Sequence, residues 1–224
     1  MTSTDSQNGI LLINKPSGMT SHDVVAIVRK KTGVKRVGHA GTLDPFATGL
    51  LIILVGREMT KRQSEFLTMD KTYEAVIRLG AISDTDDCMG VITFNSAANL
   101  PADRQGRPLP LTVKQTLQSF IGTFDQMPPS FSAKKIKGKK AYELARKGIQ
   151  PDLKPKSITI RSLELFSYTW PLLRISVSVS SGTYIRALAR DIGARLECGA
   201  YCEELVRTSI GPYDLRDALT ISEL

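Results

Sequence analysis

The sequence predicts an α+β fold, mixed, with a mainly antiparallel central sheet flanked by helices. Several strand-like runs and helical stretches follow one another with no βαβ regularity, which argues against a parallel doubly wound sheet. Two segments alternate apolar and polar residues with a period of two. In Lys71 to Gly80 the apolar face is Tyr73, Ala75, Ile77 and Leu79; in Leu172 to Ser180 it is Leu173, Ile175, Val177 and Val179. A third stretch, running through Ile185, Leu188, Ala189, Ile192 and Leu196, places its apolar residues at helical spacing.

Taken in order, Gly9 to Ile13 reads as a buried strand that ends at Asn14-Lys15-Pro16-Ser17-Gly18. Thr20 or Ser21 can then cap a helix with Val24, Ile27 and Val28 on one face, closed near Gly33. Leu50 to Val55 reads as a second buried strand, followed by a polar helix from about Glu58 to Leu67. Ser83 to Asp87 is an acidic loop without the glycine and distal glutamate of an EF-hand, so it reads as a solvated turn. Leu100 to Leu111, rich in proline and charge, reads as an exposed connection. Thr112 caps a helix expected to bury Val113, Leu117, Phe120 and Ile121. Ser157 to Tyr168 pairs with Leu172 to Ser180 around Trp170-Pro171. The Ile185 helix carries Arg186, Arg190 and Arg195 on its opposite side, and Tyr201 to Ile210 is the last strand.

With 224 residues the chain can bury a sizeable core. Its formal charge of +8 favours a polyanionic partner, with a basic solvated surface as the alternative. Pro128 to Asp152 bunches Lys134, Lys135, Lys137, Lys139 and Lys140 around Gly138, beside Phe131 and Tyr142. Such a mixture suits an RNA backbone with unstacked bases, or else a mobile solvated loop. Cys88, Cys198 and Cys202 form neither a disulfide framework nor a zinc spacing, and read as reduced, packed thiols. His22 and His39 fall in no ligand motif, so no metal is expected. There is no Gly-x-Ser-x-Gly elbow, no phosphate loop and no Gly-x-Gly-x-x-Gly fingerprint, which argues against a serine hydrolase and against nucleotide cofactors. Met1 to Asn8 is polar and unlike a signal peptide, and the longest apolar run, Leu50 to Val55, is too short to span a bilayer. A soluble cytoplasmic protein is expected.

One stretch stands out: Gly38-His39-Ala40-Gly41-Thr42-Leu43-Asp44-Pro45. Pro45 fixes its own φ and pushes Asp44 away from the α region. Gly38 and Gly41 give backbone freedom and room for close approach. Flanking apolar runs can brace the turn as buried strands. An aspartate so presented can be a nucleophile, a general base, a metal ligand or a plain turn-former.

Extended to Phe46-Ala47-Thr48-Gly49, that stretch resembles the signature of the TruB-type pseudouridine synthases. Four further stretches agree in the same order: Leu12-Ile13-Asn14-Lys15-Pro16-Ser17-Gly18-Met19-Thr20-Ser21, Lys71-Thr72-Tyr73-Glu74-Ala75, Pro128-Pro129-Ser130-Phe131-Ser132-Ala133 and Gly182-Thr183-Tyr184-Ile185-Arg186. The likeness runs from about Gly9 to Leu224. It implies a pseudouridine synthase-like catalytic domain over residues 9–224, with a basic RNA-gripping insertion at about 128–152 that is mobile without RNA. Residues 1–8 form a short polar tail, and the family's usual C-terminal PUA-like domain is absent.

The resemblance further implies isomerisation of the T-loop uridine of tRNA, extruded from the loop, together with help in tRNA folding. Asp44 is then the nucleophile, attacking the uracil ring or the ribose. Arg186 is its counterion, and Tyr73 stacks on the base and serves in proton transfer. His39, Lys15, Tyr184, Leu205, Lys61 and Thr42 are assigned to the RNA: His39 enters the space left by the flipped nucleotide, and Lys15 meets phosphate. No cofactor is needed, and neither a guide RNA nor a protein partner is expected for a monomer acting on the T arm. Three departures touch the family pattern. Gly56 to Lys61 has one residue more than the usual Gly-x-x-Thr-Lys, Phe131 replaces a tyrosine, and Leu205-Val206-Arg207 stands where Leu-Arg-Arg is usual.

Overall fold

The computed structural model describes residues 9–94, 103, 106–132, 135–136, 138–141, 144 and 148–224. The polar tail, much of the proline-rich connection, and Lys134, Lys137 and Tyr142 of the basic region lie outside the described residues. The single domain expected from the sequence is built as two compact units: one from the N-terminal part up to Glu74 together with Leu205–Leu224, the other Ala75–Glu204.

In the first unit, strand β1 (Gly9–Lys15) leads into helix α1 (Ser21–Thr32). Thr20 caps this helix in a reciprocal box with Asp23, and Gly33 closes it at a φ of 70°, a left-handed conformation that favours glycine. Strands β2 (Val37–Ala40) and β3 (Thr48–Val55) follow. The polar helix expected next is two short helices, α2 (Arg57–Lys61) and α3 (Gln63–Leu67), broken at Arg62. Strand β4 (Lys71–Leu79) then runs on into the second unit.

The second unit continues with a hairpin, β5 (Ala81–Ser83) and β6 (Ile92–Phe94), then helix α4 (Pro110–Gln118). This helix begins two residues before Thr112, because proline suits a first turn whose N–H groups are unpaired anyway. It buries Val113 and Leu117; past its end Phe120 is buried too, but Ile121, expected inside, is 48% exposed. Strand β7 (Gly122–Gln126) follows, and two-residue strands β8 (Lys135–Ile136) and β9 (Lys139–Lys140) turn about Gly138. Strands β10 (Lys156–Thr169) and β11 (Leu172–Val179) pair antiparallel, and the second buries Leu173, Ile175, Val177 and Val179 as the alternation predicts. Helix α5 (Ile185–Arg195) and strand β12 (Ala200–Ile210) complete the pass, and β12 re-enters the first unit before β13 (Tyr213–Asp214).

Strand β3 organises the first unit. It pairs antiparallel with β1 along its length, while β2 and, in parallel, the end of β12 share its other edge. Leu51, Ile53 and Val55 pack with Val24, Val25 and Val28 of α1, whereas Leu50, Ile52 and Leu54 pack with Phe66 and Ile210. Burial on both faces explains an unbroken apolar run in place of alternation. In the second unit the strand order is β4-β11-β10-β7, with α4 against both β10 and α5. The mixed, mainly antiparallel sheet is therefore as predicted. No helix among the described residues is long and apolar enough to cross a membrane.

Candidate active site

The signature forms the loop between β2 and β3. His39 lies opposite Ile53 and Ala40 opposite Ile52, so the loop leaves and re-enters paired strands. Gly41 takes a φ of 93°, and a Cβ there would stand 3.5 Å from Arg207 Nη1. Asp44 opens a turn: the Ala47 N–H donates to Asp44 O at 3.2 Å, with Pro45 in the second position that its fixed φ suits.

Almost every carbonyl along this loop is held. Arg207 donates from Nη2 to Gly41 O (3.0 Å) and from Nε to Leu50 O (2.8 Å), so one side chain grips both ends. The buried Ser21 hydroxyl accepts from Leu43 N–H (2.9 Å) and donates to Leu43 O (3.3 Å). Pro45 O accepts from Gly18 N–H (2.8 Å) and Lys15 Nζ (3.3 Å), and Phe46 O accepts from Ser17 Oγ (3.1 Å). Gly49 lets β12 approach; a Cβ on it would fall 2.4 Å from Arg207 O. The result is a turn whose backbone is fixed from three directions.

Lys15 and Arg207 are 0% and 1% exposed. Lys15 also donates to Pro16 O and Met19 O, both at 2.8 Å, so its three ammonium protons are committed to carbonyls. Burial pulls its pKa down to about 8, against the opposing pull of Asp44's charge. A phosphate contact at Lys15, expected from the family likeness, does not fit this placement. Lys15 braces the loop instead.

The other expected residues of this unit are placed as follows. His39 is half-buried with its ring edge-on to His22 at 5.1 Å between centroids. Its Nδ1 is buried and has no hydrogen-bond partner among the described residues. Burial, then the charges of His22 and Arg207, lower its pKa to about 4, so the ring is neutral at neutral pH. Thr42 is exposed, while Tyr73 and Leu205 are buried at 7% and 6% exposure. Lys61 is exposed and paired with Glu58 at 2.8 Å.

In the second unit, Tyr184 precedes α5 and is tied through its backbone to Gln126: its N–H donates to Oε1 (2.9 Å) and its carbonyl accepts from Nε2 (3.1 Å). Arg186, two residues on, is 4% exposed and meets the Asp87 carboxylate at 3.3 Å. It also donates to Thr85 O (2.8 Å) and Phe131 O (3.0 Å). One turn along, Arg190 binds the Asp86 carboxylate (2.9 Å) and Met127 O (2.9 Å). The solvated-turn reading of Ser83 to Asp87 is therefore overturned: Ser83 and Asp87 are buried, and burial raises the Asp86 pKa against the pull of Arg190. Asp86 adopts a φ of 60°, with its carbonyl accepting from Cys202 N–H at 3.0 Å.

Sequence reasoning did not single out Ser21, Arg207, Asp86 or Asp87. Two signals were present. Arg186 and Arg190 sit on a helix that is otherwise largely apolar, and cations there need counter-charges once buried. Arg207 stands in a strand that begins and ends apolar, where a lone arginine has to find carbonyls or carboxylates.

Known proteins match this arrangement. A family model described as TruB family pseudouridylate synthase, N-terminal domain, matches residues 29–185, and one described as the tRNA pseudouridylate synthase B C-terminal domain matches residues 186–224. The class is an enzyme, an isomerase that makes pseudouridine in RNA. The tRNA pseudouridine synthase B of Protochlamydia amoebophila is 46% identical over 216 residues, covering 96% of this chain and 79% of its own. That of Chlamydia abortus is 43% identical over 212 residues, covering 95% of this chain and 86% of its own. The chain belongs to the TruB family of pseudouridine synthases. Among solved structures, a Cbf5-Nop10-Gar1 complex matches with a TM-score of 0.72 and 27% identity, over 97% of this chain and 54% of that one. The chain thus spans about half the length of that solved relative.

Proposed function

We propose that this chain converts a uridine in the T loop of tRNA into pseudouridine, with Asp44 as the nucleophile. The observation that carries the reading is the bracing of the Asp44 turn. Arg207, Ser21, Lys15 and Ser17 fix its carbonyls from Gly41 to Phe46, which preorganises one carboxylate as nucleophilic catalysis requires. Relatives named tRNA pseudouridine synthase B support tRNA as the substrate. A fold relative at 25% identity, described as an H/ACA RNP bound to a substrate RNA containing 2'-deoxyuridine, supports RNA as the ligand of this fold.

In this reading the target nucleotide leaves its stack, since a base inside a folded loop cannot be reached. Asp44 forms a bond to the uracil ring or to the ribose, and the glycosidic carbon–nitrogen bond breaks. The base turns and rejoins the ribose through carbon, and the bond to Asp44 breaks and returns a free carboxylate. The new linking carbon gives up its proton while the freed nitrogen gains one. Atoms and electrons balance within one nucleotide, so the reaction needs no cofactor. Tyr73 stacks on the base and takes part in proton transfer, and Arg186 supplies the permanent positive charge that an ionised carboxylate needs in a dry site. His39, neutral near pH 7, fills the gap in the RNA. Tyr184, Leu205, Thr42 and Lys61 contact the base or the T arm, and the enzyme works in the cytoplasm without guide or partner, as a monomer that also aids tRNA folding.

Purified protein incubated alone with unmodified tRNA tests the proposal. Pseudouridine at the T-loop position, lost when that uridine is replaced by cytidine, is the expected result. Absence of the product with the protein alone, or its appearance only after a guide RNA is added, would overturn it.

A further inference from the structure

The enzyme carries a second strip of positive charge, apart from the lysines near Gly138. Arg29, Lys30, Lys31, Lys35 and Arg36 are all exposed. From Val24 to Leu43 there is no aspartate or glutamate. Among the described residues none of the five makes an ion pair, whereas neighbouring surface cations are neutralised locally, Lys61 by Glu58 and Arg62 by Glu65. The last turn of α1 accounts for part of this, because a helix C-terminus attracts cations. Lys35 and Arg36, however, lie beyond the Gly33 cap, where the helix dipole no longer explains them.

The strip leads directly into β2, and Arg36 precedes His39 by three residues of near-extended chain, about 10 Å at the usual rise per residue. Between Val24 and Leu43 there is also no phenylalanine, tyrosine or tryptophan. A surface of cations with no stacking platform suits the phosphates of a base-paired stem; unstacked single strands are gripped through aromatic rings.

We propose that Lys30, Lys31, Lys35 and Arg36 form a docking surface for the phosphate backbone of a duplex RNA stem, next to the loop nucleotides that His39 meets. This rests on the reading above that His39 faces RNA. The surface contributes affinity and orientation, and reads no sequence.

The test compares wild type with the triple variant Lys30→Gln/Lys31→Gln/Lys35→Gln in binding to a T-arm stem-loop and to its loop sequence as a single strand, across a salt series. For the stem-loop, the slope of log affinity against log salt should become shallower by about 2 to 3, roughly one per lost phosphate contact. Binding of the single strand should change much less. An unchanged slope, an equal loss for the single strand, or a loss confined to anionic lipid vesicles would overturn the proposal. Failure of the functional reading would show separately, as wild-type protein that binds the stem-loop yet makes no pseudouridine in it.

Discussion

Lys15 and Arg207 in the first unit, and Arg186 and Arg190 in the second, are all cations drawn largely out of water, yet the two units neutralise them differently. Lys15 and Arg207 donate to main-chain carbonyls of the Asp44 loop and its flanks. Arg186 and Arg190 reach carbonyls too, but each is anchored by a carboxylate, Asp87 and Asp86. A cation spent on carbonyls fixes the path of the backbone around it. A cation spent on a carboxylate has its own head group aimed, at a desolvation cost that only good geometry offsets. The first unit therefore uses buried charge to shape a loop, and the second uses it to orient arginines.

The sharpest way to break the first half of that contrast is Gly49→Ala. The added Cβ would meet Arg207 O in a left-handed conformation, so a denaturant midpoint should report a loss of about 4 kcal/mol. Little or no loss would mean that Arg207 does not sit against this strand. His39 gives a smaller effect with a definite sign. Its pKa falls from 6.5 in the unfolded chain to about 4 in the fold, so between those values the unfolded state binds more protons. Stability should drop as pH falls through that window, by at most about 3 kcal/mol, and His39→Gln should flatten the curve. An unchanged curve in the variant would assign the acid sensitivity elsewhere.

Asp87→Asn probes the second half. It keeps size and hydrogen bonding but removes the charge that aims Arg186, so turnover should fall about 10²-fold while RNA affinity stays within about threefold. Equal turnover would show that Arg186 holds its direction without the ion pair. Ser21→Ala is the mildest test. Loss of the hydroxyl that both accepts from and donates to Leu43 should cost about 1 kcal/mol of stability and slow turnover several-fold. A loss of stability with turnover intact would separate the brace from catalysis.

The elements were legible in the sequence wherever one physical preference acted alone. Thr20 with Asp23, and Gly33, bracket α1 because caps depend on local backbone groups. The alternation of Leu173 to Val179 revealed a one-sided strand. Asp44 could be read because Pro45 restricts the chain after it while Gly41 leaves the turn before it free to bend. Partners distant in sequence could not be read this way. Arg207 grips a carbonyl 166 positions away, and nothing near residue 207 or residue 41 announces the other. The acidic loop misled for the same reason: Asp86 and Asp87 look solvated until Arg190 and Arg186, about a hundred positions later, fold onto them. Lys15 resembled a phosphate ligand by motif, but three nearby carbonyls claim it first.

The proposed catalysis turns on the carboxylate at residue 44, and the most direct measurement is single-turnover pseudouridine formation by Asp44→Asn on a T-arm RNA, with the affinity for that RNA measured in parallel. The prediction is no detectable product, at least about 10⁴-fold below wild type, with affinity within about tenfold. Product formed at a rate within tenfold of wild type would contradict it.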